Sequence, residues 1–592
     1  MDELILGPEV QIFAHLQEAG QDYVIPPLVQ PEKFDGDSFL WVVGVQGQTA
    51  LWLRTAGRYH VLRGERTRIL FDTAFTAEEF PEIPHCDFLG NRFRIRVDGS
   101  HRFETALAHF YWKNLLNQCA ERTLMRRKRH LREGYVLSTL KTDFYAGTYP
   151  AVDHEFHIRG RMAMGDAFDL QVVRRMMELE LRMMRTDWRR LFRVPCSVQP
   201  SGHREYRVTR RSLDRSVRAI MFPLTGIIEL IEEIYHYYCR TKDIAFVQKH
   251  LDTLEGGVEF IKRHLDGCGR LWSDVYYEDQ VMKNGAVAQA QAFAIHSLRL
   301  MGRLEALADR SERAREYTML AQKMQVHYVR PVPDGYWDPQ NGRYVDWIDR
   351  QGNIHDHIHL LSNALSVTFG LNPDGRDRLV SDAIRTYDDI FQKFPSFVAA
   401  RIEDYTSSEI GSGGPYDLCA AGRYWCHDAK YRSALGDAQQ LLNQLSRVSE
   451  AAEQGNFFMG ERYDMNYVYY NTGEDGTRSW HGSPLYYEYP NVFIDVLVHD
   501  FLGIGLDEQC DLLLRPCCTD NTETEMESFG IRYVFTEGRF VLTNISERQL
   551  RVRVDLSRIF PGRSKRSEDR GIFFLDSKQQ IIFHAPTCQS SQ

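Results

Sequence analysis

What this sequence lacks narrows its reading first. Its 592 residues contain no uninterrupted apolar run of membrane-spanning length, so no spanning helix and no membrane partner are expected. Basic residues are not in excess: 72 Lys and Arg stand against 81 Asp and Glu, a formal net charge of -9. Such a surface does not neutralise a phosphate backbone, which argues against nucleic acid as a main partner. The one basic stretch, Leu124-Met125-Arg126-Arg127-Lys128-Arg129-His130, continues a helical pattern and reads as a solvated helix face. The 11 cysteines are odd in number and scattered, with no CxxC pair, and Cys517 and Cys518 are adjacent. Reduced structural thiols are expected, and a disulfide framework is not. The opening Met1-Asp2-Glu3-Leu4 has neither a basic n-region nor an apolar h-region, so the expected location is cytoplasmic unless a leader has been trimmed. No internal repeat is visible.

Aromatic residues are what the chain has in abundance: 29 Tyr, 33 Phe and 9 Trp. Most belong to a core. Others lie in polar segments beside Gly, Asp and His, where an aromatic face can stack on a sugar. The densest case is Leu271-Trp272-Ser273-Asp274-Val275-Tyr276-Tyr277-Glu278-Asp279-Gln280, three acids within six positions, flanked by Trp and two Tyr. A second acidic and aromatic cluster, Gly460-Glu461-Arg462-Tyr463-Asp464, follows much later in the chain.

Periodicity divides the chain in three. Residues 1–102 alternate as strands do, as in Phe39-Leu40-Trp41-Val42-Val43 and Arg92-Phe93-Arg94-Ile95-Arg96-Val97. Residues 103–504 carry the helical period, strongest at Ile227, Leu230, Ile231 and Ile234. Helices are predicted over 104–130, 161–186, 219–240, 243–265, 286–309, 311–330, 357–370, 377–393, 416–430, 433–451 and 487–502. Residues 505–592 return to strands. Between the helices, tight turns alternate with long connections at 141–160, 187–215, 267–285, 331–356, 394–415 and 452–486. Long irregular connections in a compact domain tend to be functional. Paired helices with long loops gathered at one end imply a double ring, a mainly α fold with β-rich segments at both termini.

Three segments resemble the (α/α)6-barrel glycoside hydrolases of the glucoamylase-like clan. Gly147-Thr148-Tyr149-Pro150-Ala151-Val152-Asp153-His154 is similar to the early loop that grips the terminal sugar. Leu271-Trp272-Ser273-Asp274 resembles the Leu-Trp-acid stretch that carries the general acid, although the family's usual Glu is replaced here by Ser-Asp. Gly460-Glu461-Arg462-Tyr463, with Ser479-Trp480-His481 downstream, resembles the base-bearing segment. The resemblance covers roughly 103–503 and implies a carbohydrate substrate, with Asp153, His154, Trp272, Tyr277, Asp279, His357, Tyr463 and Trp480 binding it.

The chemistry itself sets the same demand. Inverting hydrolysis needs a protonated carboxyl at the leaving oxygen and an ionised carboxylate to activate water on the opposite face, roughly 6.5–9.5 Å apart. Glu278 and Asp274 are the candidate acids, with Glu278 slightly favoured; Glu461 is the candidate base and Glu488 the alternative. Many long loops around one mouth favour exo action. His355-Asp356-His357-Ile358-His359 has the alternation of a metal site, but hydrogen bonding to sugar hydroxyls or to neighbouring loops is the expected role. Neither metal nor cofactor is expected. The glycine-containing loop after Glu403 and Asp404, Ser407–Pro415, lacks the ending of a nucleotide loop. A sugar isomerase, a lyase, a phosphorylase or a non-catalytic glycan-binding protein are the competing functions. The oligomeric state is not legible.

Overall fold

The computed structural model describes residues 2–6, 10–18, 21–25, 33–34, 38–44, 50–55, 59–62, 65–79, 92–115, 154–164, 167–198, 203–276, 281–411, 419–463, 486–536, 538–559 and 570–584. The helical period becomes thirteen α-helices among these residues. They are α1 (Arg102–His109), α2 (His154–Met164), α3 (Ala167–Arg185), α4 (Thr225–Thr241), α5 (Ile244–Lys262), α6 (Ala288–Leu307), α7 (Ser311–Tyr328), α8 (Leu360–Thr368), α9 (Arg376–Arg385), α10 (Asp388–Phe391), α11 (Gly422–Leu435), α12 (Ala438–Gln454) and α13 (Glu488–Asp495). Wider π-helical turns extend α1 over Phe110–Leu115 and α13 over Val496–Phe501.

Several boundaries differ from the periodicity reading. The helix predicted over 161–186 corresponds to α2 and α3, with residues 165–166 between them outside the described residues. The one predicted over 219–240 begins as a strand, Arg218–Met221, because Pro223 interrupts the pattern before α4. α4 stops where Lys242 turns left-handed, φ 58°, and Asp243 at once caps α5 by accepting from the Phe246 N–H at 3.0 Å.

The packing order is regular. α2 contacts α4, α4 contacts α6, α6 contacts α8, α8 contacts α11, α11 contacts α13, and α13 contacts α2. Each of these except α13 also packs on the helix after it: α3, α5, α7, α9 and α12 respectively. The α2–α13 contact is close because Gly160 has no side chain; a Cβ there would stand 2.8 Å from the Asn491 carbonyl oxygen. The connections from α4 to α5, α6 to α7 and α11 to α12 are two or three residues long. The long ones instead lead into the N-termini of α4, α6, α8, α11 and α13.

The β segments form two groups. Near the start, a four-stranded and a five-stranded antiparallel sheet use strands between Asp2 and Glu79. Near the end, Thr522–Ser528, Ile531–Thr536, Arg539–Asn544 and Gln580–His584 form a five-stranded sheet whose first strand is Arg92–Val97, in register Phe93 to Met526. Leu512–Leu514, Leu550–Asp555 and Arg570–Leu575 belong to a second, four-stranded sheet. Tyr533 ties the first of these sheets to the helices by donating its hydroxyl to the Leu502 carbonyl at 3.1 Å. No helix among the described residues is long and apolar enough to cross a membrane.

Candidate active site

The segments that run into α4, α6, α8, α11 and α13 are stitched edge to edge by short β pairs. Gly285–Val287, just before α6, pairs with Trp347–Asp349, which pairs with Ile354–His355. His359, at the head of α8, bridges Ala399, and Phe397 bridges Ala420. Ala420–Ala421, at the head of α11, pairs with Arg462–Tyr463, and Tyr486, before α13, donates its N–H to the Met459 carbonyl at 2.7 Å. On the other side Val275 bridges Met221, ahead of α4. This belt follows the N-terminal ends of five helices, where unpaired N–H groups and the helix dipoles favour negative charge.

Asp274 and Glu461 both lie on the belt, far apart along it. Asp274 is turned into place by a left-handed backbone, φ 51°, and by its N–H donating to the Gly285 carbonyl at 3.0 Å. Its side chain is 6% exposed. The carboxylate accepts from the Ile220 N–H at 3.1 Å and from the Arg350 guanidinium. Burial raises the proton affinity of this carboxyl above the ordinary aspartate value, and outweighs the Ile220 hydrogen bond and the Arg350 charge, which lower it. Arg350 is half exposed, so water screens much of its attraction. Asp274 lines a cavity of about 350 Å³ together with Trp272, Arg263, His264 and Arg350. The half-buried Trp272 is held by its indole N–H, which donates to Asp266 at 3.2 Å.

Glu461 is buried between two guanidinium groups: Arg462 at 3.2 Å and Arg423 at 3.6 Å. Glu488, the alternative base, is the more tightly occupied. It is fully buried, accepts from the Arg423 backbone N–H, and pairs with the Arg423 guanidinium at 3.0 Å. Arg423 thus links the two glutamates. Tyr463 is buried with its ring 4.6 Å from Phe394 and 5.4 Å from Tyr489, and its hydroxyl accepts the Gly460 N–H, so it shapes the Glu461 turn.

Tyr276 points from the acid-bearing loop toward the interior of the helices, stacked on Phe293 at 4.8 Å. Burial, with Glu229, Glu155 and Glu232 nearby, holds its hydroxyl well above the usual phenol range. In this interior Arg159 pairs with Glu155 and Glu232. Burial and neighbouring carboxylates push Glu233 well above the usual carboxylate range, whereas the Arg159 charge and His296 overcome burial and hold Glu232 well below it.

His357 is 3.0 Å from Glu409 through Nε2, and His355 shares the same carboxylate oxygen. His359 turns away into a buried group, with Lys283 at 3.3 Å and Ser362 at 3.1 Å. The alternation therefore splits, two imidazoles to Glu409 and one to Lys283 and Asp346. Tyr277, Glu278, Asp279, Asp153 and Trp480 lie outside the described residues, as does the side chain of His154. Arg350 and Glu409 are the partners that sequence reading did not pair with these groups; each stands more than fifty residues from its main contact in the chain, and no local spacing joins them.

Gly285 is the tightest joint of the belt: a Cβ there would stand 2.2 Å from the Ile348 carbonyl oxygen. Gly285→Ala is expected to cost about 1–3 kcal/mol of stability and to shift the Asp274 loop, read as a lower melting temperature with far-ultraviolet circular dichroism retained below it.

Comparison with solved structures places this architecture beside several glycosidases. The GH78 family rhamnosidase of Bacillus sp. GL1 is 13% identical over 92% of this chain and 49% of its own, with a TM-score of 0.52. The Streptomyces avermitilis alpha-L-rhamnosidase, solved with L-rhamnose, is 12% identical over 98% of this chain and 50% of its own, TM-score 0.52. The alpha-L-rhamnosidase of Aspergillus terreus is 11% identical over 99% of this chain and 60% of its own, TM-score 0.51. This chain spans about half the length of the structures it matches. No family model and no curated protein matches it. At these identities the likeness is one of fold, and it is the barrel glycoside hydrolase fold that the sequence segments resemble.

Proposed function

We propose that this chain is a glycoside hydrolase, inverting and exo-acting, built on a closed (α/α)6 barrel. The cyclic order of contacts among α2, α4, α6, α8, α11 and α13 supports the closed ring. The observation that carries the function is Asp274: a buried carboxyl with raised proton affinity, beside Trp272 in a cavity, on the belt that also holds Glu461. Asp274 donates its proton to the glycosidic oxygen as that bond breaks. Glu461, its charge balanced by Arg462 and Arg423, takes a proton from the water that attacks the anomeric carbon from the other face. Glu278, four residues beyond Asp274, is the other acid to test. Trp272, Tyr463, His357 and the segments around Asp153, His154, Tyr277, Asp279 and Trp480 form the sugar-binding wall. The substrate is a carbohydrate, and α-L-rhamnosides come first among candidates because of what the matching structures are named for.

The test is a panel of aryl glycosides and oligosaccharides with the anomer of the first product followed by NMR. The expected result is turnover of at least one compound with inverted configuration, reduced about 10²–10⁴-fold in Glu461→Gln with substrate binding retained. No turnover of any glycan, or retention of configuration, counts against the reading. Near-normal turnover in Glu461→Gln removes that residue from the role of base.

A further inference from the structure

His355, His357 and Glu409 form a cluster of which the hydrolytic reading uses only His357. We propose that it is a binding site for a transition-metal ion of the zinc type, which clamps the Tyr405–Gly411 loop to the strand ahead of α8. His355 Nδ1, His357 Nε2 and a Glu409 carboxylate oxygen lie within 4.8 Å of one another, a group of three potential ligands from two separate segments. Two imidazoles and one carboxylate are a donor set that zinc accepts, with positions left for water.

The surroundings are built as a ligand shell is built. The other ring nitrogen of His355, Nε2, lies 3.5 Å from the Asp349 carboxylate. A carboxylate that closes on this nitrogen orients a ligating histidine and raises its basicity. Asp349 is itself immobilised, accepting from Gln351 N–H at 2.9 Å, Asn353 N–H at 2.8 Å and the Asn353 amide at 2.8 Å. The second oxygen of Glu409 accepts from the Thr406 N–H at 2.8 Å and the Thr406 hydroxyl at 3.0 Å, which leaves the first oxygen directed at the histidines. Both rings are held flat against aromatic faces. His355 lies 4.1 Å from Trp347 at 5°, and His357 lies 3.7 Å from Tyr405 at 10°.

Zinc bonds of about 2.0–2.1 Å in a tetrahedron put ligand atoms about 3.3 Å apart. The Glu409 oxygen stands 3.0 Å from His357 and 2.5 Å from His355, so entry of an ion requires the glutamate to withdraw from both rings. The Met282 N–H donates to the Glu409 carbonyl at 2.7 Å, so the clamp also bears on the segment just ahead of Gly285–Val287.

The experiment is titration of the full chain, stripped with EDTA, with ZnCl2 by calorimetry. CoCl2 absorption in the visible range and the melting temperature are read in parallel. One site is expected in the unsubstituted protein, with a higher melting temperature on saturation, and no comparable response to MgCl2 or CaCl2. His357→Ala is expected to lose the site, and Asp349→Asn to weaken it about 10–100-fold. If His357→Ala does not fold, the graded loss in Asp349→Asn and Glu409→Gln carries the test. Equal zinc affinity and cobalt spectra across the unsubstituted protein and these variants would overturn the proposal, as would no saturable zinc binding in the unsubstituted protein.

Discussion

Asp274→Asn lowers turnover of the glycoside that the panel selects by about 10²–10⁴-fold and leaves the chain folded at neutral pH. The two halves of this expectation have one cause. Burial raises the proton affinity of Asp274 above that of an exposed aspartate, so in the folded state the charged form is the costly one. The stability contributed by such a group is fully present below its unfolded pKa, near 4, and is lost as the pH rises through the higher folded value. Asparagine does not titrate. The variant should therefore compare best with its parent at neutral pH and worst in acid, a difference read from melting temperatures across that range. The Ile220 N–H still finds an acceptor in the amide oxygen, and the half-exposed Arg350 can turn to water. Catalysis moves the other way. The parent needs the protonated form, so its rate falls as the pH rises through the raised value, and the variant lacks that limb at every pH. Near-normal turnover in Asp274→Asn would transfer the acid role to Glu278; a melting-temperature difference that does not change with pH would remove the burial argument.

The sequence made some of this legible and concealed the rest for physical reasons. Helical periodicity is local, so α4 could be read from Ile227, Leu230, Ile231 and Ile234, all of which are buried. The alternation of long and short connections was equally local, and it pointed to the end of the helices where Asp274 and Glu461 lie. Pairings across the chain were not legible. Arg92-Phe93-Arg94-Ile95 reads as a strand, but its partner Thr522–Ser528 is set by three-dimensional packing. The same holds at the site. That Asp274 is acidic and beside Trp272 is plain from the sequence; that it is buried against Arg350 is not. His355, His357 and His359 look equivalent by spacing. The structure separates them because the first two precede the helix and face Glu409, while His359 caps α8 by accepting from the Ser362 N–H at 3.2 Å.

The stability prediction with the largest expected effect concerns the joint where α2 meets α3 and α13. Arg161 on α2 has no exposed side-chain surface. It donates to Asp169 on α3 and to the Leu115 carbonyl at the end of the π-helical turn, at 2.6 Å. Tyr111, in that same turn, donates to the other oxygen of Asp169 at 2.8 Å. One buried ion pair thus fastens three elements at the place where α2 also meets α13 through Gly160. Arg161→Met keeps the bulk of the side chain and removes the charge. Removing one partner of a buried ion pair costs more than the intact pair contributes, and a loss of about 3–5 kcal/mol is expected. If the stranded charge is the cause, adding Asp169→Asn should restore much of that loss, because the amide oxygen still accepts from Tyr111 and no ion is left behind. The measurement is a urea denaturation series on the parent, both single variants and the double variant, followed by tryptophan fluorescence. Additive losses in the double variant would mean that Arg161 holds this joint by packing alone; partial recovery would identify the electrostatic fastening as what keeps α2 in place against α3 and the π-helical turn.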